Sequence, residues 1–273
     1  MPNTLPPTLR PFPGGSSEEV PLSHPERIPG FLVRRGRYAM YFATTQAERE
    51  MALRLRYEVF HLELGEGDPA AAISGLDQDP FDEQFQHLMV MDMTTGLPVG
   101  TYRMQTAQAA HEGQGFYTNL EFDLDRLGDE FLDRSVELGR ACVALEHRNQ
   151  VVLYLLWQGL ILYLDFHGKR SFFGCSSLTS QDMAEGLRLY DQLAQDGHLH
   201  PELQTVARPD WACVVDDPRG PAVKIPPLFR AYLRQGAKIL SPPAIDREFG
   251  TIDYLTYVWV SDSIAKKYAL PSA

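Results

Sequence analysis

The sequence predicts one α/β domain over residues 37–273, with a mixed central sheet flanked by helices. Three observations carry that expectation. Short β-branched and aromatic runs alternate with stretches of helical period, a strand, a buried helix and a second strand follow one another within residues 134–176, and neither an internal repeat nor a composition shift after residue 37 marks a second domain. Residues 1 to about 30 are crowded with Pro, Gly and Ser and lack any period, so 1–36 reads as a flexible N-terminal segment.

The stretch 134–176 organises the rest. Along SVELGRACVAL an imperfect alternation sets Val136, Leu138, Ala141 and Val143 among Glu137 and Arg140, which predicts a kink or bulge near Gly139 on a central strand. The following helix, 151 to about 166, is apolar nearly all round and must therefore be buried on most of its surface. Its run of about 16 apolar-rich residues, ended by Asp165, falls short of the roughly 20 needed to cross a bilayer. Asn149 can cap its start, and His167, Lys169 and Arg170 suit the negative end of its dipole.

In chain order, FLVRRGRYAM carries Arg34, Arg35 and Arg37 on what reads as a solvated edge. RYAMYFATT is a first strand, and TTQAEREMALRLRYEVFHLEL an amphipathic helix opened by a Thr45 and Glu48 capping box. Arg56 and Phe60 lie one turn apart on it and can reach one cleft. The loop from Gly65 to Phe85 is long and acidic, with Asp77, Asp79 and Asp82, as loops that bind or cover a ligand often are. QHLMVMD and PVGTYRMQ form a hairpin bearing Arg103. Beyond residue 176, SQDMAEGLRLYDQLAQDG is a helix stopped by Gly197, WACVVDD a strand, PPLFRAYLRQG a short helix and AIDREFGTIDYLTYVWV a β-rich end.

With 273 residues, 44% of them hydrophobic, the chain can bury a sizeable core, and its net charge of -11 argues against a nucleic-acid binder. Cys142, Cys175 and Cys213 have no metal-ligand spacing and read as reduced core thiols, so no metal site is expected. No signal-peptide pattern opens the chain, and a cytoplasmic protein is the expectation.

This order of elements, with a buried helix after the fourth strand, resembles the GNAT acyltransferase fold. Within it LRYEVF, DQDPFD, GTYR and ELGRACV resemble, in family order, motifs of the acyl-homoserine-lactone synthases. The later PPLFRAYLRQGAKILSPPAIDREFGTIDYL resembles the ornithine-lipid type N-acyltransferases and related N-acyl amino acid synthases, which share the early motifs; together the matches span about residues 40–260. The resemblance implies functional roles for Arg56, Phe60, Asp79, Asp82, Arg103, Glu137 and Arg140. It implies transfer of a long-chain acyl group from an acyl carrier protein thioester to the α-amine of an ornithine-like amino acid, giving an N-acyl amino acid or lyso-lipid in bacterial lipid biosynthesis. No permanently bound cofactor is implied, only acyl carrier protein or acyl-coenzyme A as donor. The turn ALEHRNQVV lacks the glycines that let a backbone approach pyrophosphate closely, which favours the carrier protein. Peripheral contact with the inner membrane is a further expectation.

The chemistry needs a base, because an ammonium has no lone pair until it loses a proton. Glu137 is the candidate, directly or through a water, with an ion pair to Arg140 or Arg103 as its structural alternative. Arg140 and Arg103 are expected to gather Glu137, Asp79 and Asp82 into one network around the amine pocket; alternatively Asp79 and Asp82 bind the substrate ammonium. Backbone amides at Ala141 and Cys142 are candidates to polarise the thioester carbonyl, and Arg148 with the start of the long helix to hold the phosphopantetheine phosphate. Tyr190 is a weaker candidate to protonate the departing thiolate, and a Cys142–His147 nucleophile is disfavoured. Two other functions fit parts of the pattern: a lactone synthase using S-adenosylmethionine, and a non-catalytic acyl-binding protein.

Overall fold

The computed structural model describes residues 20–269. Among them one sheet contains β1 (Val33–Arg35), β2 (Tyr38–Phe42), β3 (Gln86–Asp92), β4 (Leu97–Thr106), β5 (Ser135–Val143), β6 (Ser171–Leu178), β7 (Lys238–Ile239), β8 (Ala244–Asp246) and β9 (Thr251–Trp259). Their spatial order is β1-β2-β3-β4-β5-β6-β9-β7, with β8 also paired to β9. Only β5 and β6 run parallel. The helices are α1 (Gln46–Arg56), α2 (Ala71–Ser74), α3 (Ala107–Glu112), α4 (Asp129–Arg134), α5 (Gln150–His167), α6 (Met183–Gln195), α7 (Pro227–Arg234) and α8 (Asp262–Tyr268). The architecture is the mixed α/β one that the sequence predicts.

Alternation along the strands divides the core. On β3, Leu88 and Val90 face α5 together with Met40, Phe42 and Met104, whereas Met89 and Met91 pack with Ala43 and Ala52 on the side of α1. The long helix is buried as its composition demands: Leu155, Leu156, Leu160 and Tyr163 are all closed off from solvent. Gly159 lets it lie directly on the sheet, because a Cβ there would run into the tip of Leu88. Asn149 Oδ1 accepts from the amides of Val151 and Val152, and Gly168 closes the helix in the left-handed conformation.

The expected capping box is also present, Thr45 Oγ1 accepting from Glu48 N at 3.3 Å and Glu48 Oε2 from Thr45 N at 3.2 Å. The helix it opens continues past Arg56 as a π-helical Tyr57–Leu64, a wider winding that turns successive side chains off the regular α-helical rows. The predicted strand WACVVDD is not one. Both edges of β9 are taken, by β6 on one side and by β7 and β8 on the other, and three-residue β8 offers this stretch a single bridge, Ala212 to Ala244. Within the segment assigned to 1–36, residues 1–19 lie outside the described residues, while Ile28 reaches the core and β1 adds an edge strand.

Candidate active site

The bulge expected near Gly139 is present, and it shapes the site. Opposite β4, Gly139 pairs with Arg103 and Cys142 with Thr101, so two residues, Arg140 and Ala141, face Tyr102 alone. Arg140 takes a positive φ of 49°, a strained conformation for a residue with a Cβ. On its other edge β5 pairs with β6 only from Ser135 to Glu137. Beyond that the two strands part, and the wedge between them holds a cavity of about 60 Å³. Leu138, Gly139, Arg140 and Ala141 line one side, Gly174, Cys175 and Ser176 the other, and the Tyr102 and Tyr232 hydroxyls, 2.6 Å apart, sit on residues of the same lining. At the apex a side chain on Gly174 would strike the Leu138 carbonyl oxygen.

Beside this wedge three guanidinium groups meet three carboxylates. Arg56 donates to Asp77 Oδ2 at 2.6 Å and to both oxygens of Asp82 at 2.6 and 3.1 Å. Arg103 Nη1 lies 2.7 Å from Asp79 and 3.0 Å from Asp82. Arg140 completes the ring, 3.3 Å from Asp77 and 3.2 Å from Asp79, and lies over the rings of Phe249 and Tyr117. Burial alone would raise the Asp77 and Asp82 carboxyls, yet Arg56 and Arg140 bring Asp77 down to about 2, and Arg56 and Arg103 hold Asp82 well below the usual range. The three aspartates are therefore matched one to one by arginines.

Glu137 stands outside that ring, contrary to the expected single network. Among the described residues no cation forms an ion pair with it; its carboxylate accepts from Gln105 Nε2 and Thr118 N, both at 2.6 Å, and from Tyr117 N at 3.3 Å. It is 1% exposed and does not line the cavity. Burial raises its pKa, countered by the hydrogen bonds from Thr118 and Gln105. Its geometry ties residues 117 and 118 to β5, and Tyr117 in turn lies beneath Arg103 and Arg140.

The other nominated residues divide. Arg140 and Ala141 line the wedge. Cys142 does not: it packs with Leu55, Val59 and Phe60, and burial pushes its thiol upward, away from the thiolate a nucleophile needs. His147 meets Tyr38 instead, at 3.1 Å. Phe60 packs edge-on to Phe249. Arg148 is paired at the surface with Glu63 at 2.6 Å, and Asn149 already occupies two amides at the start of α5. Tyr190 is absent from the cavity lining, where Tyr232 of α7 is found.

One further group at the site carries no sequence signal. Glu121 and Asp253 are buried beside the half-buried Cys175, the ligand atoms of all three lying within 4.8 Å of one another. Nothing in the spacing signals this, since Asp253 arrives on β9 and Glu121 follows a 3-10 turn, Tyr117–Leu120, that no motif marks.

A sheet that parts beside a bulged strand, a wedge at the parting and a buried helix after the bulge make up the GNAT acyltransferase fold. The acetyltransferase (GNAT) domain model matches residues 55–158. The L-ornithine N(alpha)-acyltransferase of Brucella abortus (strain 2308) is 32% identical over 236 residues, covering 81% of this chain and 84% of that one. That of Agrobacterium fabrum (strain C58) is 33% identical over 258 residues, 88% and 86% of the two chains. Among solved structures, FeeM, an N-acyl amino acid synthase from uncultured soil microbes, is similar with a TM-score of 0.49 at 8% identity, over 84% of this chain and 94% of that one. The chain belongs to the L-ornithine N(alpha)-acyltransferase family, and it is an amide-forming acyltransferase.

Proposed function

We propose that the chain moves a long-chain acyl group from an acyl carrier protein thioester to the α-amine of ornithine or a close analogue, yielding an N-acyl amino acid of the lyso-lipid kind. The carbonyl carbon gains a C–N bond and loses its C–S bond; of the two protons the ammonium gives up, the first passes to solvent before attack and the second ends on the departing thiol. The observation that carries this reading is the parting of β5 and β6, which leaves the β6-facing edge of β5 without a strand partner just where Arg140 and Ala141 bulge. A thioester carbonyl laid in the wedge would meet fixed backbone donors there, the arrangement that stabilises a tetrahedral oxyanion. The relatives' names supply ornithine as the amine.

Two features support the carrier protein as donor. The turn before α5 has no glycine, and Asn149 caps the amides that a coenzyme A pyrophosphate would otherwise use. Tyr232, in the cavity lining, is the hydroxyl suited to protonate the thiolate, while Glu137 acts as a positioning residue that holds Tyr117 under the arginines.

The test is to incubate purified protein with acyl carrier protein and coenzyme A thioesters and a panel of amino acids, following free thiol and product mass. N-acylornithine should form, with kcat/KM for the carrier-protein donor at least about tenfold higher. Silence with both donors across the whole panel overturns the reading.

A further inference from the structure

The ring of arginines leaves the site with a specific shortage. Asp79 and Asp82, the acidic residues that the sequence singles out for an amine, are each engaged by guanidinium groups, and so is Asp77 beside them. A cationic substrate needs negative charge that no arginine has already neutralised.

That charge lies on the other side of the wedge. Glu121 and Asp253 are 0% and 4% exposed, and no Lys, Arg or His among the described residues forms an ion pair with either. Ser177 and Glu121 are hydrogen-bonded to Asp253, but Glu121 Oε2 and Asp253 Oδ1 are buried with no donor beyond a proton the two acids share, an expensive state for a carboxylate oxygen. Neither acid lines the wedge itself; Cys175, whose thiol lies 3.9 Å from Glu121 Oε1, does, so the pair sits one side chain behind the cavity wall and an ammonium reaches it by displacing the Cys175 side chain. Burial, Asp253 and Asp246 raise the Glu121 carboxyl, and burial brings Asp253 up to about 6. Without a cation, the two acids share protons because they cannot both ionise.

We propose that Glu121 and Asp253 are the receptor for the side-chain ammonium of the amine substrate, and so select a diamino acid over a monoamine. The α-ammonium is the wrong occupant. A neighbouring carboxylate pair favours the protonated amine and would suppress its attack on the thioester, whereas a side-chain ammonium keeps its charge throughout. The inference rests on the reading of the chain as an acyltransferase for an ornithine-like amine, and it names the residues that choose that amine.

Ornithine and norvaline share a carbon skeleton and differ by the terminal ammonium, which makes them the probes. In thermal unfolding without any acyl donor, ornithine should raise the wild-type midpoint and norvaline should not, and D253N and E121Q should lose the ornithine shift while still unfolding cooperatively. In turnover, the wild-type kcat/KM ratio of ornithine to norvaline should be on the order of 100, falling toward 1 in D253N chiefly through KM. Equal stabilisation by the two amino acids, or variants that keep the wild-type ratio, would overturn the proposal. So would stabilisation by Zn²⁺ with none by ornithine, which would assign the pair to a metal. Acylation of both amino acids at similar rates sinks this inference but leaves the acyltransferase reading standing, while clear ornithine binding with no turnover does the reverse.

Discussion

Arg56 grips Asp82 through two hydrogen bonds, 2.6 and 3.1 Å long, with both residues 1% exposed. Asp82 also accepts from Arg103 and from the Asp79 amide, so one carboxylate joins the first helix, the acidic loop and the hairpin. Removing Arg56 leaves three carboxylates to two guanidinium groups, Asp82 keeping only Arg103 of them and Asp77 only Arg140. R56A should therefore lower stability by about 3–5 kcal/mol, the usual loss when one member of a buried pair is deleted. Urea unfolding measures this, and a loss below about 1 kcal/mol would mean the ring is solvated enough to compensate.

Glu137 gives the second expectation. Its carboxylate accepts two backbone amides, and a glutamine would have to turn its own N–H groups toward some of those donors. E137Q should cost about 1–3 kcal/mol of stability. It should also reduce kcat through a displaced Tyr117, yet leave the acid limb of the kcat/KM profile where it was. A limb that disappears in E137Q would restore Glu137 as the base.

The sequence made one half of this site legible and hid the other. Arg56, Asp79, Asp82, Arg103 and Arg140 come together because charged residues in otherwise apolar elements must find one another, and the broken alternation around Gly139 announced the bulge that aims Arg140. The partners of Glu137 were hidden because two of its three donors are backbone amides, which any residue supplies. Glu121 and Asp253 were hidden because the sheet order, with β9 beside β6, brings them together. Tyr232 replaced Tyr190 in the cavity lining for a similar reason, since which helix covers the wedge is a matter of packing.

Two glycines separate backbone from side-chain crowding. A Cβ on Gly174 would press on the Leu138 carbonyl, part of a strand that cannot yield without reopening the β5–β6 pairing. One on Gly159 would meet the end of the Leu88 side chain, which can change rotamer. G174A should thus be the more damaging, by about 1–3 kcal/mol, and should widen or close the wedge enough to depress acyl transfer. Thermal unfolding of the two variants side by side tests the contrast, and equal midpoints would show that the strands part freely at this point.

The buried acid pair also makes stability depend on pH in an unusual direction. In the folded chain Asp253 titrates at about 6, above the roughly 3.9 of an unfolded aspartate, so between those values the folded state holds a proton that the unfolded state has released. Its contribution to stability therefore falls as pH rises from about 4 to about 6, and stays level above that. Asp77 acts oppositely: held near 2 by Arg56 and Arg140 against the effect of burial, it stabilises above about pH 4 and loses that contribution as pH falls toward 2. Burial and Asp246 oppose ionisation of Asp253, while hydrogen bonds with Ser177 and Glu121 and the charge of Arg140 assist it only in part, so replacing Asp253 removes a destabilising charge at neutral pH. D253N should be more stable than the wild type at about pH 7.5, by on the order of 2 kcal/mol, with the difference shrinking as pH approaches 4. Urea unfolding across that range measures it; a D253N advantage that stays constant with pH would place the effect in packing rather than in the proton the pair shares.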